Sequence, residues 1–445
     1  MANLLLKNAV ILTMDAAHTL YEDGYLVVEG DSIRELGPSE KLREMGEFDG
    51  YTVLDCAGKI VLPGMVNTHN HLSMMVFRSL ADDVPDRLKR YLFPLERTAM
   101  NREMAIAGAN YAFAELLLGG VTTVYDAYYF EDDIARQAAS AGIRGVLSET
   151  VLNAPSPSAP EPYGGIAYTR EFVRRWQDHP LITPAVNCHA IYTNDTEHLQ
   201  ECHRIAREHG LILCMHVAEM SYETEGCLRD YGKTPVGYLD SIGLLDDRFL
   251  AAHSINLTDD DLEIYARRGV KVAYNAGSNA KGAKGVAPIR KMRDLGITVG
   301  LGTDGPMSGN TIDIVTQLPL VGKVQKLWNH DRSLFPAREI LEMATIGGAK
   351  ALGLGEITGS LEAGKRADIV IFETDSVNMQ PIYDYYSAIV YSANPANVET
   401  TIVNGQVVMK GRKLRTIDLG AARREMLRFR DEIAAIAADL DRKIQ

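Results

Sequence analysis

Eight short apolar runs, separated by amphipathic helical stretches, fill the middle of the chain: residues 60–68, 120–127, 143–152, 181–189, 211–217, 248–254, 270–276 and 297–303. Several are rich in Val, Ile and Leu, as strands buried on both faces must be, since a parallel sheet covered by helices leaves neither face to water. Eight strand–helix repeats in about 300 residues is the size of a closed (β/α)8 barrel. A doubly wound sheet is the competing α/β architecture, but no phosphate-binding G-x-x-x-x-G-K-[ST] loop accompanies the repeats.

Strand-like runs of another kind flank this core. Residues 3–12 and 25–36 are short and apolar or alternating, with Gly30-Asp31 and Gly37-Pro38 as turn signals, and residues 51–62 continue in that style. The pattern returns only near the other end, at 367–372 and at 400–408, the latter interrupted by an Asn404-Gly405 turn. Both ends therefore contribute to one small β-sandwich. The expected organisation is 1–59 for its first part, 60–360 for the TIM barrel, 361–418 for its second part and 419–445 for a C-terminal helix. That helix has many charges and reads as a solvated surface element.

Composition narrows the function classes. With 46 Lys and Arg against 59 Asp and Glu, the net charge is -13. Diffuse negative charge excludes the basic stripe that nucleic acid requires and disfavours an anionic membrane surface. The five cysteines are scattered, with no C-x-x-C pair, which reads as reduced thiols in a cytoplasmic protein. No signal peptide or membrane span is read from the sequence.

The C-terminal ends of the barrel runs carry the chemistry. Run one ends in Thr68-His69-Asn70-His71, and side chains at i and i+2 of a strand point the same way. Runs four, five and six end in His189, in His216-Val217-Ala218-Glu219 and in His253-Ser254, and run eight in Gly302-Thr303-Asp304-Gly305. Five of the eleven histidines fall at these ends; the other six lie in polar loops or helices. One such histidine is as readily a hydrogen-bonded core residue as a ligand, but several converging on one barrel mouth point to a metal. His69, His71 and His216 supply nitrogens and Asp304 an oxygen, a set suited to one catalytic Zn2+, with Fe2+ or Mn2+ as alternatives. Such an ion lowers the pKa of bound water towards roughly 7. Asp304 is then placed to take the water's proton, Glu219 to protonate a substrate ring nitrogen, and His253 to orient the nucleophile.

These residues resemble the amidohydrolase superfamily. The resemblance rests on Pro63-Gly64-Met65-Val66-Asn67-Thr68-His69-Asn70-His71, on His216-Val217-Ala218-Glu219, on Ala252-His253, on Gly300-Leu301-Gly302-Thr303-Asp304-Gly305 and on Gly359-Ser360-Leu361-Glu362-Ala363-Gly364-Lys365-Arg366-Ala367-Asp368-Ile369-Val370. It implies a metal-dependent barrel closed by a sandwich from both termini. It also implies a homo-oligomer acting on a small molecule. Within the superfamily, His-x-x-Glu with Gly-Thr-Asp-Gly is similar to the deaminases and s-triazine hydrolases. His189, where binuclear members carry a carboxylated lysine, favours a single metal.

The texture is that of deaminases acting on S-adenosylhomocysteine, methylthioadenosine or 5′-deoxyadenosine. By that resemblance Phe93-Pro94-Leu95-Glu96 makes Glu96 the ribose-binding residue, His189 the purine contact, and Gly277-Ser278-Asn279 a substrate-binding segment. The implied activity is hydrolytic deamination of an aminated heteroaromatic ring. The alternatives are a triazine-type hydrolase removing chloride or an alkylamine, and a deaminase of a free base or pterin. Two positions depart from the pattern. Tyr274 stands where many members have a histidine, and Glu149 where homocysteine-binding members have an arginine. An acid there is expected to repel a substrate carboxylate.

Overall fold

A computed structural model of the chain describes residues 3–42 and 48–442. Eight strand positions form a parallel barrel in chain order: Met65–Asn67, Val121–Tyr128, Arg144–Val151, a broken fourth (Ile182–Pro184 and Val186–Cys188), Leu213–Val217, Phe249–His253, Lys271–Tyr274 and Val299–Leu301. The last strand returns to the first: the Thr68 amide donates to Leu301 O at 2.9 Å and the Asp304 amide to His69 O at 3.0 Å. The lumen is filled by small and branched side chains, among them Val66, Val146, Ala185, Cys214, Leu250, Ala252 and Ala273. Helices such as Arg102–Leu118, Glu131–Ala141 and Thr196–His209 cover the outside.

Both ends of the chain build one nine-stranded mixed sheet. Ile60–Pro63 lies at its centre, parallel to Leu4–Leu12 and antiparallel to Ile369–Phe372. Val398–Val403, Gln406–Lys410 and Lys413–Leu414 continue it on one side, and Leu20–Glu29 and Ser32–Pro38 on the other. This changes the reading of run 60–68. It is apolar from Ile60 to Val66 with no polar break, yet at Gly64 it leaves one sheet for the other, so the barrel strand starts at Met65 rather than at residue 60. A buried ion pair ties the two units together. Arg144 Nε, on the third barrel strand, meets Asp368 Oδ2 at 2.9 Å with both side chains almost fully buried. Asp368 Oδ1 also accepts from the Asn404 amide at 2.7 Å.

The C-terminal segment is two helices, Leu419–Leu427 and Arg430–Arg442, and the second is not simply solvated. Phe429, Ile433 and Ala437 are buried, with Ile436 and Leu440 partly buried beside them. That spacing is an apolar stripe on an otherwise charged helix. Among the described residues, no helix is long and apolar enough to cross a membrane.

Candidate metal centre and its cavity

His69, His71, His216, His253 and Asp304 meet at the C-terminal mouth of the barrel. The His69 ring centroid is 4.8 Å from that of His71, 4.9 Å from His216 and 5.5 Å from His253. Two groups of side chains bring potential ligand atoms within 4.8 Å of one another, His69 with His71 and Asp304, and His69 with His216 and His253. Glu219, His253 and Asp304 form a third.

The backbone is bent to present these groups. Ala218, His253 and Asp304 have φ of 51°, 70° and 62°. A non-glycine residue held in the left-handed region costs on the order of 1–3 kcal/mol, and such residues collect at functional sites. Gly302 and Gly305 flank Asp304 because there is no room for more. A Cβ on Gly302 would lie 2.3 Å from Asn275 Oδ1, and one on Gly305 would lie 2.8 Å from Met74 Sδ and 3.0 Å from His71 Cβ.

Hydrogen bonds fix the tautomers. His71 Nδ1 donates to Ala127 O at 2.7 Å, His216 Nδ1 to His189 O at 2.7 Å, and His253 Nδ1 to Asn279 Oδ1 at 2.9 Å. Each bond leaves an Nε2 lone pair for the centre, the usual way a protein orients a metal-binding imidazole. His69 Nδ1, His69 Nε2 and His253 Nε2 are buried without a hydrogen-bond partner. Orphaned buried nitrogens among neutral imidazoles beside a carboxylate are what a metal site shows. Burial and the neighbouring His71 and His216 keep His69 well below the usual histidine range, and burial above all takes His71 down to about 4. Both are therefore neutral, as a ligand must be.

Asp304 accepts from the Gly305 amide at 2.6 Å and from the Ser278 hydroxyl at 2.6 Å. Burial pushes its carboxyl up, but Lys284 and the surrounding imidazoles hold it well below the usual range. Glu219 lies 3.6 Å from His253 Nε2. Burial raises this carboxyl too, and His253 and Lys284 outweigh that and bring it to about 2.

Lys284 went unnoticed in the sequence. Its Nζ sits 2.5 Å from Glu219 Oε1 and 2.9 Å from Ser278 Oγ, and 3.6 Å from Asp304 Oδ2. It rides on a loop between Gly282 and Gly285, and no motif marked it.

A cavity of about 920 Å³ opens above the cluster, lined by His71, His216, Glu219, His253 and Asp304 on its floor and by Glu96, Tyr128 and His189 on its walls. That is ample for a drug-sized ligand. Burial pushes Glu96 up to about 7, with the nearby Tyr128 hydroxyl opposing. Tyr128 stands between Glu96 and the centre, its ring 6.2 Å from that of His71. His189 Nδ1 pairs with Thr193 Oγ1 at 3.0 Å.

Four expected positions behave differently. Ser278 and Asn279 do not line the cavity; they sit behind it, holding Asp304 and His253. Glu149 is fully buried and faces away from the cavity, accepting from the Glu131 amide at 3.1 Å and from the Ser158 hydroxyl. The repulsion expected of it towards a substrate carboxylate therefore does not operate. Alternation along the strand explains this, since its neighbour Thr150 lines the cavity instead. Tyr274 is likewise buried, its hydroxyl accepting from Gln325 Nε2 at 3.1 Å.

A barrel whose mouth gathers four histidines and an aspartate around orphaned nitrogens defines the class of metal-dependent (β/α)8 hydrolases. More particularly, the chain belongs to the amidohydrolase family, whose model matches residues 60–408. It is 36% identical to the 5-methylthioadenosine/S-adenosylhomocysteine deaminase 1 of Syntrophus aciditrophicus, over 96% of this chain and 97% of that protein. It is 37% identical to the 5-methylthioadenosine/S-adenosylhomocysteine deaminase of Syntrophobacter fumaroxidans, over 94% and 95%. Its fold is similar to a zinc-bound adenosine deaminase from Xanthomonas campestris, with a TM-score of 0.94, 28% identity and coverage of 98% and 99%. An atrazine chlorohydrolase from Arthrobacter aurescens TC1, 22% identical with a TM-score of 0.84 over 98% and 99%, shares the fold.

Proposed function

We propose that this chain is a zinc-dependent hydrolytic deaminase of adenosine-type nucleosides, converting a ring carbon bearing an amino group into a carbonyl and releasing ammonia. The carrying observation is Glu96, a buried carboxyl on the wall of the cavity whose floor holds the histidine cluster, with Tyr128 between them. Two adjacent hydroxyls of a ribose are natural bidentate partners for such a carboxylate, whereas an alkylated triazine offers only single N–H donors and no vicinal diol. The nucleoside deaminases among the relatives agree with this reading.

His69, His71, His216 and Asp304 would hold the ion, with His253 beside them; when bound it supplies Lewis acidity and a water nucleophile at neutral pH. The remaining steps belong to the chain's own groups. His189 and Phe93, with ring centroids 6.4 Å apart, offer faces and edges to the purine. Glu219 is held ionised, so it donates only after receiving a proton. It collects one from the nucleophile and delivers it to the ring nitrogen, relieving charge as the ring loses aromaticity. Asp304 takes the second proton and passes it to the amino group, which leaves as ammonia. Ser278, Asn279 and Lys284 keep these groups in register.

The test is ammonia release from zinc-loaded protein given adenosine, 5′-deoxyadenosine, methylthioadenosine, S-adenosylhomocysteine, adenine, guanine, a pterin and aminotriazines. Release from the nucleosides ahead of the free bases is expected. Turnover of triazines alone would overturn the reading.

A further inference from the structure

We infer that the C-terminal helix Arg430–Arg442 is a positioning element for substrate binding, acting through the wall segment Leu88–Thr98 that carries Glu96. This rests on the ribose reading of Glu96 above. The segment has two sides. Leu88, Leu92, Phe93 and Glu96 face the cavity, while Tyr91, Leu92 and Leu95 pack into a satellite core separate from the main barrel core. The C-terminal helix supplies Ile433 and Ala437, and the residue just ahead of it, Phe429, joins the same core. Tyr91 donates its hydroxyl to Asp441 at the far end of the helix, and Arg428 pairs with Glu103 at the near end.

The wall is otherwise lightly held. It contains two short helical pieces, Leu88–Leu92 and Phe93–Thr98, too short to be stable without tertiary packing. On the cavity side its anchors are the Arg87 bonds to Met307 O and Ser308 and the contacts of Asp82 with Lys281 and Asn310, all at one end. The rear face near Glu96 packs into a core that the C-terminal helix shares with Met104, Ala105 and Tyr129, and the helix closes its outer side. Removing that support lets the wall open locally, which weakens ribose capture without touching the groups at the metal centre.

The experiment uses the full-length zinc-loaded protein carrying Phe429→Ala with Ile433→Ala, and separately Tyr91→Phe, which removes one hydroxyl and should fold even if the double variant does not. Amide hydrogen exchange is read at 88–98 and, as an internal control, at the barrel strand 121–128. In the double variant, exchange at 88–98 should quicken about tenfold with the control unchanged. KM for 5′-deoxyadenosine should rise by a similar factor, with kcat and zinc content unaltered. Tyr91→Phe should show the same pattern at about threefold, the scale of one neutral hydrogen bond. Unchanged exchange at 88–98, or a fall in kcat without a rise in KM, overturns the inference. Glu96→Ala separates the two readings: if it leaves KM unaltered, the ribose assignment fails, while the exchange data still decide the role of the helix.

Discussion

Glu149 offers a quantitative test of how the third barrel strand is buried. Its carboxyl lies beside Glu131, with no salt bridge to it among the described residues, and burial pushes it from 4.5 to about 8. Asp126, in the same buried group, is raised to about 7, and Glu131 is also raised. A folded-state pKa above the unfolded value means that the protonated form stabilises the fold. The contribution is complete below about pH 4.5 and is lost as pH climbs through the folded value. For Glu149 alone, at about 1.4 kcal/mol for each pH unit, the loss between about pH 5 and pH 8 is on the order of 3 kcal/mol. Glu149→Gln keeps one carbonyl oxygen for the Glu131 amide, turns its NH2 towards the Ser158 hydroxyl, which can rotate to accept, and cannot ionise. Urea unfolding of zinc-saturated protein across this range should show wild-type stability falling towards alkaline pH, and the variant falling less steeply by roughly one proton's worth. Parallel pH profiles, or a variant less stable than wild type at every pH, would refute the argument.

Other outcomes follow from the same geometry. Arg144→Leu leaves Asp368 buried and unpaired and should cost about 3–5 kcal/mol, whereas joining it with Asp368→Leu should recover much of that in denaturant melts. Glu96→Ala should raise KM for nucleosides by at least about tenfold, the scale of a lost charge-assisted hydrogen bond, and leave KM for a free base alone in steady-state assays. Chelation should lower the melting temperature, because an ion at a thousandfold excess over its Kd stabilises by about 4 kcal/mol; scanning calorimetry with and without zinc reads this directly. Glu219→Gln should retain stoichiometric zinc by elemental analysis while turnover falls by at least about a hundredfold, the scale of a lost general acid.

The architecture was legible because burial on both faces leaves a largely apolar run for most strands, and the candidate ligands because they end those runs. What the sequence hid is mostly direction. Glu149 and Thr150 are adjacent, and one residue of register decides which meets the cavity. Ser278 and Asn279 lie in the expected segment, but a strand-to-helix turn aims them at Asp304 and His253 rather than outward. Run 60–68 shows no polar break where it changes sheets, since both sheets bury it. Lys284 reaches the centre from a glycine-flanked loop whose path no periodicity encodes. The C-terminal helix has the composition of a solvated element, and its narrow apolar stripe became meaningful only with the wall segment against it.

The shared sheet sets a timetable for synthesis. Val61 pairs with Ile371 and Leu62 with Val370, partners separated by roughly 300 positions. At about 5–20 residues per second, the ribosome needs some tens of seconds to deliver the second after the first. Throughout that interval the apolar edge of Ile60–Pro63 has no mate, and the ligand set lacks Asp304 for most of it. The nascent chain therefore emerges with a sticky strand and an incomplete claw of histidines. Completion of the ligand set and closure of the sheet both belong to the last phase of chain synthesis.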